Sequence, residues 1–144
     1  MKVLELLLNC ALIIGGWCVV HCLTLKAERR KENRAKAETV VTDLLELEEA
    51  AIRFHCAPEF DGHANDALAR KIQRITQIVR QRPLDKLSID WKILKELRQS
   101  ITRKNTDQSD FKPQPAGSEI VRDIRCAVDD FISRIEYKKA EIWP

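Results

Sequence analysis

Residues 40–52, VVTDLLELEEAAI, carry the pattern from which the rest of the fold can be worked out. Apolar residues recur there at the spacing of one helix face, and glutamates fill the other faces. The stripe consists of Val40, Val41, Leu44, Leu45, Leu47, Ala51 and Ile52. Pro58 predicts the end of this helix. Because the helix has a single apolar stripe, it must bury that stripe against other helices or against a partner.

On the C-terminal side, the same spacing predicts three more helices. The second ends at Pro83, the third is capped by Ser88 or Asp90, and the last begins after Ser118. Their stripes are Leu68, Ile72, Ile75 and Val79; Trp91, Leu94, Leu97 and Ile101; and Val121, Ile124, Ala127 or Val128, Phe131 and Ile135. Residues 104–117, KNTDQSDFKPQPAG, are rich in turn residues and predict a loop. We therefore predict an all-α fold, with a small antiparallel bundle of three or four helices in residues 38–144.

The N-terminal side has a different composition. Residues 6–25, LLLNCALIIGGWCVVHCLTL, contain no charged residue, and as a helix they extend about 30 Å, the thickness of a bilayer hydrocarbon core. A cleaved secretory signal would have a shorter apolar run, followed by small residues at the cleavage site. Neither feature is present. We therefore expect residues 1–25 to form an uncleaved transmembrane anchor, with the lipid bilayer as its surroundings.

The positive charge is concentrated beside this expected anchor. Up to residue 36 there are seven Lys/Arg and three Asp/Glu, whereas from residue 37 onward there are 18 and 19. Six basic residues lie in the segment 26–37, which can continue the helix into water: Lys26, Arg29, Arg30, Lys31, Arg34 and Lys36. The charge bias predicts an inner-membrane protein with a short N-terminus outside and its helical domain in the cytoplasm. These residues would either recognise anionic lipid or only set the topology.

Small residues within the apolar segment predict contact with another helix. Ala11 and Gly15 are four residues apart and form a small-xxx-small pattern, and Gly16 adds further room beside them. Backbones approach closely where such residues share a helix face. We therefore expect Ala11, Gly15 and Gly16 to take part in helix association.

The chain contains no recognisable catalytic or cofactor motif. A serine nucleophile elbow, a P-loop and a Rossmann glycine pattern are all absent from the sequence. Residues 55–63, HCAPEFDGH, hold five potential metal ligands, but their spacing does not suit zinc, and the segment fits a helix end and turn. The basic run lacks interleaved aromatic residues, which argues against nucleic-acid binding. We expect no enzymatic activity, no cofactor, no metal and no small-molecule substrate.

Three short segments resemble one group of known proteins. Residues 97–102, LRQSIT, the pair Asp110-Phe111 and residues 118–124, SEIVRDI, look like segments of uncharacterised small bacterial membrane proteins from mobile or prophage-type elements. Those proteins have one N-terminal membrane helix and a helical cytoplasmic region. The resemblance extends over residues 97–135 in sequence. It implies a bacterial inner-membrane setting and no active site.

The sequence as a whole predicts a non-enzymatic, membrane-anchored helical protein. Its helical domain would bind itself or a protein partner at the cytoplasmic membrane face. Two alternatives remain open at this point. A membrane-active effector or toxin, of a host-lysis or defence type, would act through the anchor, and a spanin-like protein would place the helical domain in the periplasm.

Overall fold

The computed structural model describes the backbone of residues 2–143 and the side chains of residue 10 and of residues 12–143. Its regular elements are α1 (Lys2–His55), α2 (Gly62–Arg80), a short 3₁₀ helix (Leu84–Leu87), α3 (Trp91–Thr102) and α4 (Glu119–Ile142). Residues 2–143 contain no β-strand. The predicted all-α class and the predicted helical bundle are therefore confirmed.

Three of these helices are capped at their N-termini by the side chain of the residue that precedes them. The Asp61 carboxylate accepts hydrogen bonds from the first backbone N–H groups of α2. The carboxylate of Asp90 and the hydroxyl of Ser118 accept equivalent bonds at the starts of α3 and α4. A cap of this kind satisfies donors that the helix itself leaves open and is worth about 1 kcal/mol. The short polar residues before each apolar stripe therefore fix where the helices start.

The C-terminal part of α1 is the central element of the core. Its buried residues recur at alternating steps of three and four, the spacing that keeps one seam of a long helix facing its neighbours. These residues, at most 3% exposed, are Ala37, Val40, Leu44, Leu47, Ala51 and Phe54. By contrast, every described side chain from residue 12 to residue 32 is exposed. The helix therefore has a bundle part and a projecting part.

Two helices pack directly on α1, and the third packs on one of those two. α4 runs antiparallel to α1, because Lys139 lies 3.6 Å from Glu38 while Arg125 lies 3.8 Å from Glu48. α2 also packs on α1, where Lys71 pairs with Glu46 at 2.7 Å. α3 packs mainly on α4. Exposed ion pairs of this kind add little stability, so the apolar stripes hold the bundle together.

The C-terminal end of α4 is fastened to α1 near the border between its two parts. Trp143 is buried in the core at 4% exposure. The Arg34 side chain donates a hydrogen bond from Nε to the Trp143 carbonyl at 2.7 Å. The border between the projecting helix and the bundle is therefore held by both an apolar and a polar contact.

The long connection between α3 and α4 is fixed by His55, the last residue of α1. The ring Nε2 of His55 lies 3.1 Å from the carbonyl oxygen of Ile101, so the neutral ring carries its proton on that nitrogen. Its Nδ1 faces the Asn105 amide at 3.5 Å, and its backbone carbonyl accepts from Gln114 at 2.8 Å. Asn105 also bonds both backbone groups of Lys112. One residue thus links α1, the end of α3 and the loop.

Three phenylalanine rings complete the packing at this end of the bundle. Phe54 of α1 contacts Phe60 and Phe111 at centroid distances of 5.9 and 5.5 Å, and Phe60 lies 5.7 Å from Phe111. Aromatic pairs at these distances and tilts add about 0.5–1.5 kcal/mol beyond their burial. The turn after α1 and the loop before α4 are therefore held by the same cluster.

The prediction of a membrane location is wrong. Among the residues that the structure describes, no helix has the combination of length and apolar character that crossing a membrane requires. Residues 6–9 and 11 of the expected span lie outside the described side chains. The transmembrane helix is thus unsupported, and the predicted inner-membrane placement, with the N-terminus outside and the C-terminal domain in the cytoplasm, is corrected.

Phe131 provides a test of the core. Its side chain is fully buried on α4, so Phe131→Ala should lower the free energy of unfolding by about 3–5 kcal/mol through lost burial and the cavity left behind. Tyr137→Ala is the matched control, because Tyr137 is an exposed aromatic residue on the same helix and its loss should cost less than about 1 kcal/mol. Urea unfolding followed by circular dichroism measures both. Equal effects would contradict the described packing.

His55 makes stability depend on pH. Burial lowers the pKa of His55 below its ordinary value of 6.5, and the hydrogen bond to the Ile101 carbonyl offsets part of that effect. The unfolded chain therefore binds a proton near pH 6.5, while the folded chain keeps the ring neutral to lower pH. We expect the free energy of unfolding to fall as the pH drops from 7.5 to 5.5. Urea titrations across this range should show a smaller decrease for His55→Gln, and an unchanged decrease would exclude His55 as the cause.

Candidate interaction surfaces

The projecting part of α1 exposes a continuous apolar surface, which we call the apolar arm and define as residues 12–25. Its large apolar side chains are 40–71% exposed and cover most of the helix circumference: Leu12, Ile13, Ile14, Trp17, Val19, Val20, Leu23 and Leu25. Monomeric proteins rarely expose contiguous apolar patches larger than a few hundred Å². The apolar arm is therefore a candidate interaction surface.

The glycines of the apolar arm lie in open surroundings. A Cβ atom built on Gly15 or on Gly16 would meet nothing within 4 Å, so no contact within the described chain requires a glycine at either position. The side chain of Ala11, the third residue of the predicted association site, lies outside the described side chains. The role of Ala11, Gly15 and Gly16 in helix association stays a prediction.

Four of the six basic residues expected beside a membrane project freely from α1. They are exposed, and none forms an ion pair with another described residue: Lys26, Arg29, Arg30 and Lys31. They follow the apolar arm directly and extend over less than two turns of helix. Their predicted contact with anionic lipid stays a prediction.

The other two basic residues have partners within the chain. Arg34 donates to the Trp143 carbonyl, and Lys36 pairs with Glu32 at 2.7 Å. The hydrogen bond from Lys36, followed by its charge, lowers the pKa of Glu32. The same two causes, supplied by Lys71, lower the pKa of Glu46 between α1 and α2. The six basic residues therefore do not form one uniform cluster.

The segment 55–63 does not gather its potential metal ligands. His55 faces the core, Cys56 is half-buried, and His63 is exposed in the first turn of α2. In the part of the chain that the structure describes, no three histidine, cysteine, aspartate or glutamate side chains converge as a metal ion would require. The polar atoms of this segment serve the helix cap and the loop instead.

A basic cleft lies between α2 and α3, and it was not predicted from the sequence. Residues 62–103 hold ten Lys/Arg and four Asp/Glu, a net charge of +6. Residues 38–61 hold one Lys/Arg and seven Asp/Glu, a net charge of −6. When the charge is summed from residue 37 onward, the opposite charges of these two segments cancel. A charge sum for each predicted helix pair would have revealed the basic one.

The cleft lies between two helices that meet at their ends. Its volume is about 1130 Å³. At one end the Asn65 amide donates to the Thr106 carbonyl at 3.3 Å. At the other end the Arg80 guanidinium lies 5.1 Å from the centre of the Trp91 ring. Trp91, expected in the buried stripe of α3, is in fact 59% exposed, because the first residue of that helix lies at the mouth of the cleft.

Four cationic side chains line this cleft, with a single acidic one: Arg70, Lys95, Arg98 and Arg103, with Asp66. None of the four cations forms an ion pair with another described residue. Elsewhere in the bundle, lysines such as Lys71 and Lys139 do have carboxylate partners. The cleft is therefore a region of the bundle where positive charge remains available to a ligand.

Comparison with known proteins gives no relative from which a function could be transferred. No protein-family model, no curated protein and no solved structure matches this chain. The apolar arm and the basic cleft are accordingly interpreted from their own chemistry.

Proposed function

We propose that this chain is a non-enzymatic interaction protein that associates with a second copy of itself through the apolar arm. The observation that supports the proposal is the exposure of large apolar side chains around most of the helix circumference in residues 12–25. Burial of one leucine, isoleucine or valine side chain yields about 1.5–3 kcal/mol, and eight large apolar residues stand exposed in one short helix segment. A second helix is the simplest structure that covers such a surface.

The arm is complementary to a copy of itself. Gly15, Cys18 and Cys22 lie on one side of the helix, three and four residues apart, and form a shallow face. The opposite side carries bulkier residues such as Ile13 and Val20. Small residues let two helices approach closely, and the ridges of one helix then fill the grooves of the other. In a pair related by a two-fold axis the shallow faces of both arms meet each other, so one arm supplies each half of the interface.

Charge favours an antiparallel pair. Residues 26–36, directly after the arm, hold six Lys/Arg and two Asp/Glu. In a parallel pair the two segments would lie side by side with their axes about 8–10 Å apart, a distance comparable to the Debye length of about 8 Å in physiological salt, so their like charges would still repel in part. An antiparallel overlap of the arms places these segments at opposite ends, and it also opposes the two helix dipoles. The two bundles then lie at the far ends of the pair.

The first test changes the apolar arm. Val19→Glu combined with Leu23→Glu places two charges on one side of the arm and should convert the associated protein into a monomer, because association must exceed a cost of roughly 4–15 kcal/mol. Sedimentation velocity of the full chain at micromolar concentration measures the change. The matched control is Leu45→Glu combined with Tyr137→Glu, since both residues are exposed apolar side chains on the bundle. The control should keep the mass of the unaltered protein.

Two results would contradict self-association through the arm. The first is a monomeric unaltered chain under these conditions. The second is an oligomer whose mass the arm variant and the control variant change equally. In either case the exposed apolar surface has a different occupant.

A second test addresses the orientation of the pair. If two arms overlap antiparallel around residue 18 or 19, spin labels at residue 31 should lie about 40 Å apart, from the helical rise of 1.5 Å per residue. A parallel pair would bring them within about 15 Å. Double electron–electron resonance on a Lys31→Cys variant, with the native cysteines replaced by serine, measures this distance. A short distance would exclude the antiparallel arrangement and leave self-association itself intact.

A further inference from the structure

The bundle is open on one side. α1 packs against α2 and α4, and α3 packs against α4, but α2 and α3 have few contacts with each other. The cleft between them runs along the whole of α3, from Trp91 to beyond Thr102. Along this side the polar faces of α2 and α3 face each other across the cleft.

The cleft has the dimensions of a short helix. An α-helix is about 10 Å across, so a volume of 1130 Å³ corresponds to about 14 Å of helix, or roughly nine residues. The length of α3, at 12 residues, is about 18 Å. A segment of two to three helical turns therefore fits between α2 and α3 and would close the ring of helices.

The charges of the cleft select an acidic occupant. Lys95 and Arg98 lie one turn apart on α3, and Arg103 follows about 12 Å from Lys95. Carboxylates at positions i, i+4 and i+7 of a facing helix extend over about 10 Å, which matches this spacing. Arginine guanidinium groups bind carboxylates through two parallel hydrogen bonds. Since these cations have no ion-pair partner among the described residues, they are available for such bonds.

The apolar residues that line the cleft between the cations favour a peptide helix over other anionic ligands. Ile72 and Leu94 form the floor, and Ala69 and the exposed Trp91 lie along the walls. An amphipathic helix places its apolar edge on such a floor, whereas a phosphodiester backbone has no apolar edge to place there. The apolar arm of a second copy does not fit either, because residues 12–25 contain no acidic residue.

We infer that the cleft between α2 and α3 is the docking site for one acidic, amphipathic α-helix of a protein partner. The helix lies along the cleft with its carboxylates on Arg70, Lys95, Arg98 and Arg103. Its apolar edge rests on Ile72 and Leu94. This site is separate from the apolar arm, so it does not depend on self-association.

The test uses the full chain and a designed peptide. The probe is a fluorescein-labelled 16-residue helix of alanine, leucine and glutamate, with leucines along one edge and glutamates at i, i+4, i+7 and i+11 beside it. Fluorescence anisotropy should show saturable binding that weakens at least tenfold between 50 and 500 mM salt. The same peptide with glutamine in place of glutamate, and a 16-nucleotide DNA in single-stranded or duplex form, should bind at least tenfold more weakly.

Variants locate the site. Lys95→Glu combined with Arg98→Glu should weaken binding of the glutamate peptide at least tenfold, and Arg70→Gln combined with Arg103→Gln should weaken it measurably. The matched control is Arg122→Glu combined with Arg134→Glu, because both arginines are exposed on α4 outside the cleft. The control should change the affinity less than twofold. Circular dichroism verifies that each variant is folded, and the glutamine pair provides the test if the charge reversal unfolds the bundle.

Four results would overturn the inference. The first is a glutamate peptide that fails to bind, and the second is a glutamine peptide that binds equally well. DNA could bind more tightly than the peptide, with a loss in the cleft variants, which would make the cleft a nucleic-acid site. Finally, the control could weaken binding as much as the cleft variants do, which would reduce the effect to net charge.

Discussion

The burial of one apolar seam on α1 is the interaction on which the rest of this structure depends. The seam runs from Ala37 to Phe54 with every member nearly inaccessible to water. α2 and α4 each pack directly against α1, whereas α3 reaches the bundle mainly through α4. Even the long loop before α4 is held by the last two residues of this helix, through the phenylalanine cluster and the bonds of His55. Without the seam, the other stripes would have no common surface on which to assemble.

The same helix also joins two regions of opposite character. Residues 12–25 expose apolar side chains, whereas residues 37–54 bury them, and no break separates the two. The border is held where Arg34 binds the carbonyl of Trp143 and the Trp143 ring enters the core. Because the helix is continuous, whatever holds the arm also fixes the direction in which the bundle points.

Local pattern made most of the bundle predictable from sequence. The predicted stripe Leu68, Ile72, Ile75 and Val79 comprises the buried residues of α2, and the predicted caps Asp90 and Ser118 stand where α3 and α4 start. His55 was different, because its partners Ile101 and Asn105 lie about 50 residues away and no periodicity links them. The membrane location, which was inferred from the uncharged residues 6–25 and the basic residues beside them, was wrong, because no helix among the described residues has the length and apolar character of a span. The basic cleft was missed because the charges of the acidic and basic segments cancel when the net charge is summed over the whole bundle.

The unbroken length of α1 has a consequence for reach. In an antiparallel pair centred on residue 18 or 19, each bundle begins at residue 37, about 28 Å from the centre, so the two bundles start about 55 Å apart. The two clefts would then form a bivalent platform with a fixed spacing. A partner that carries two acidic helices on a linker able to span that gap would gain avidity, whereas one with a shorter linker would bind as if each cleft stood alone. The helix that builds the core would thus also set the distance between the two clefts.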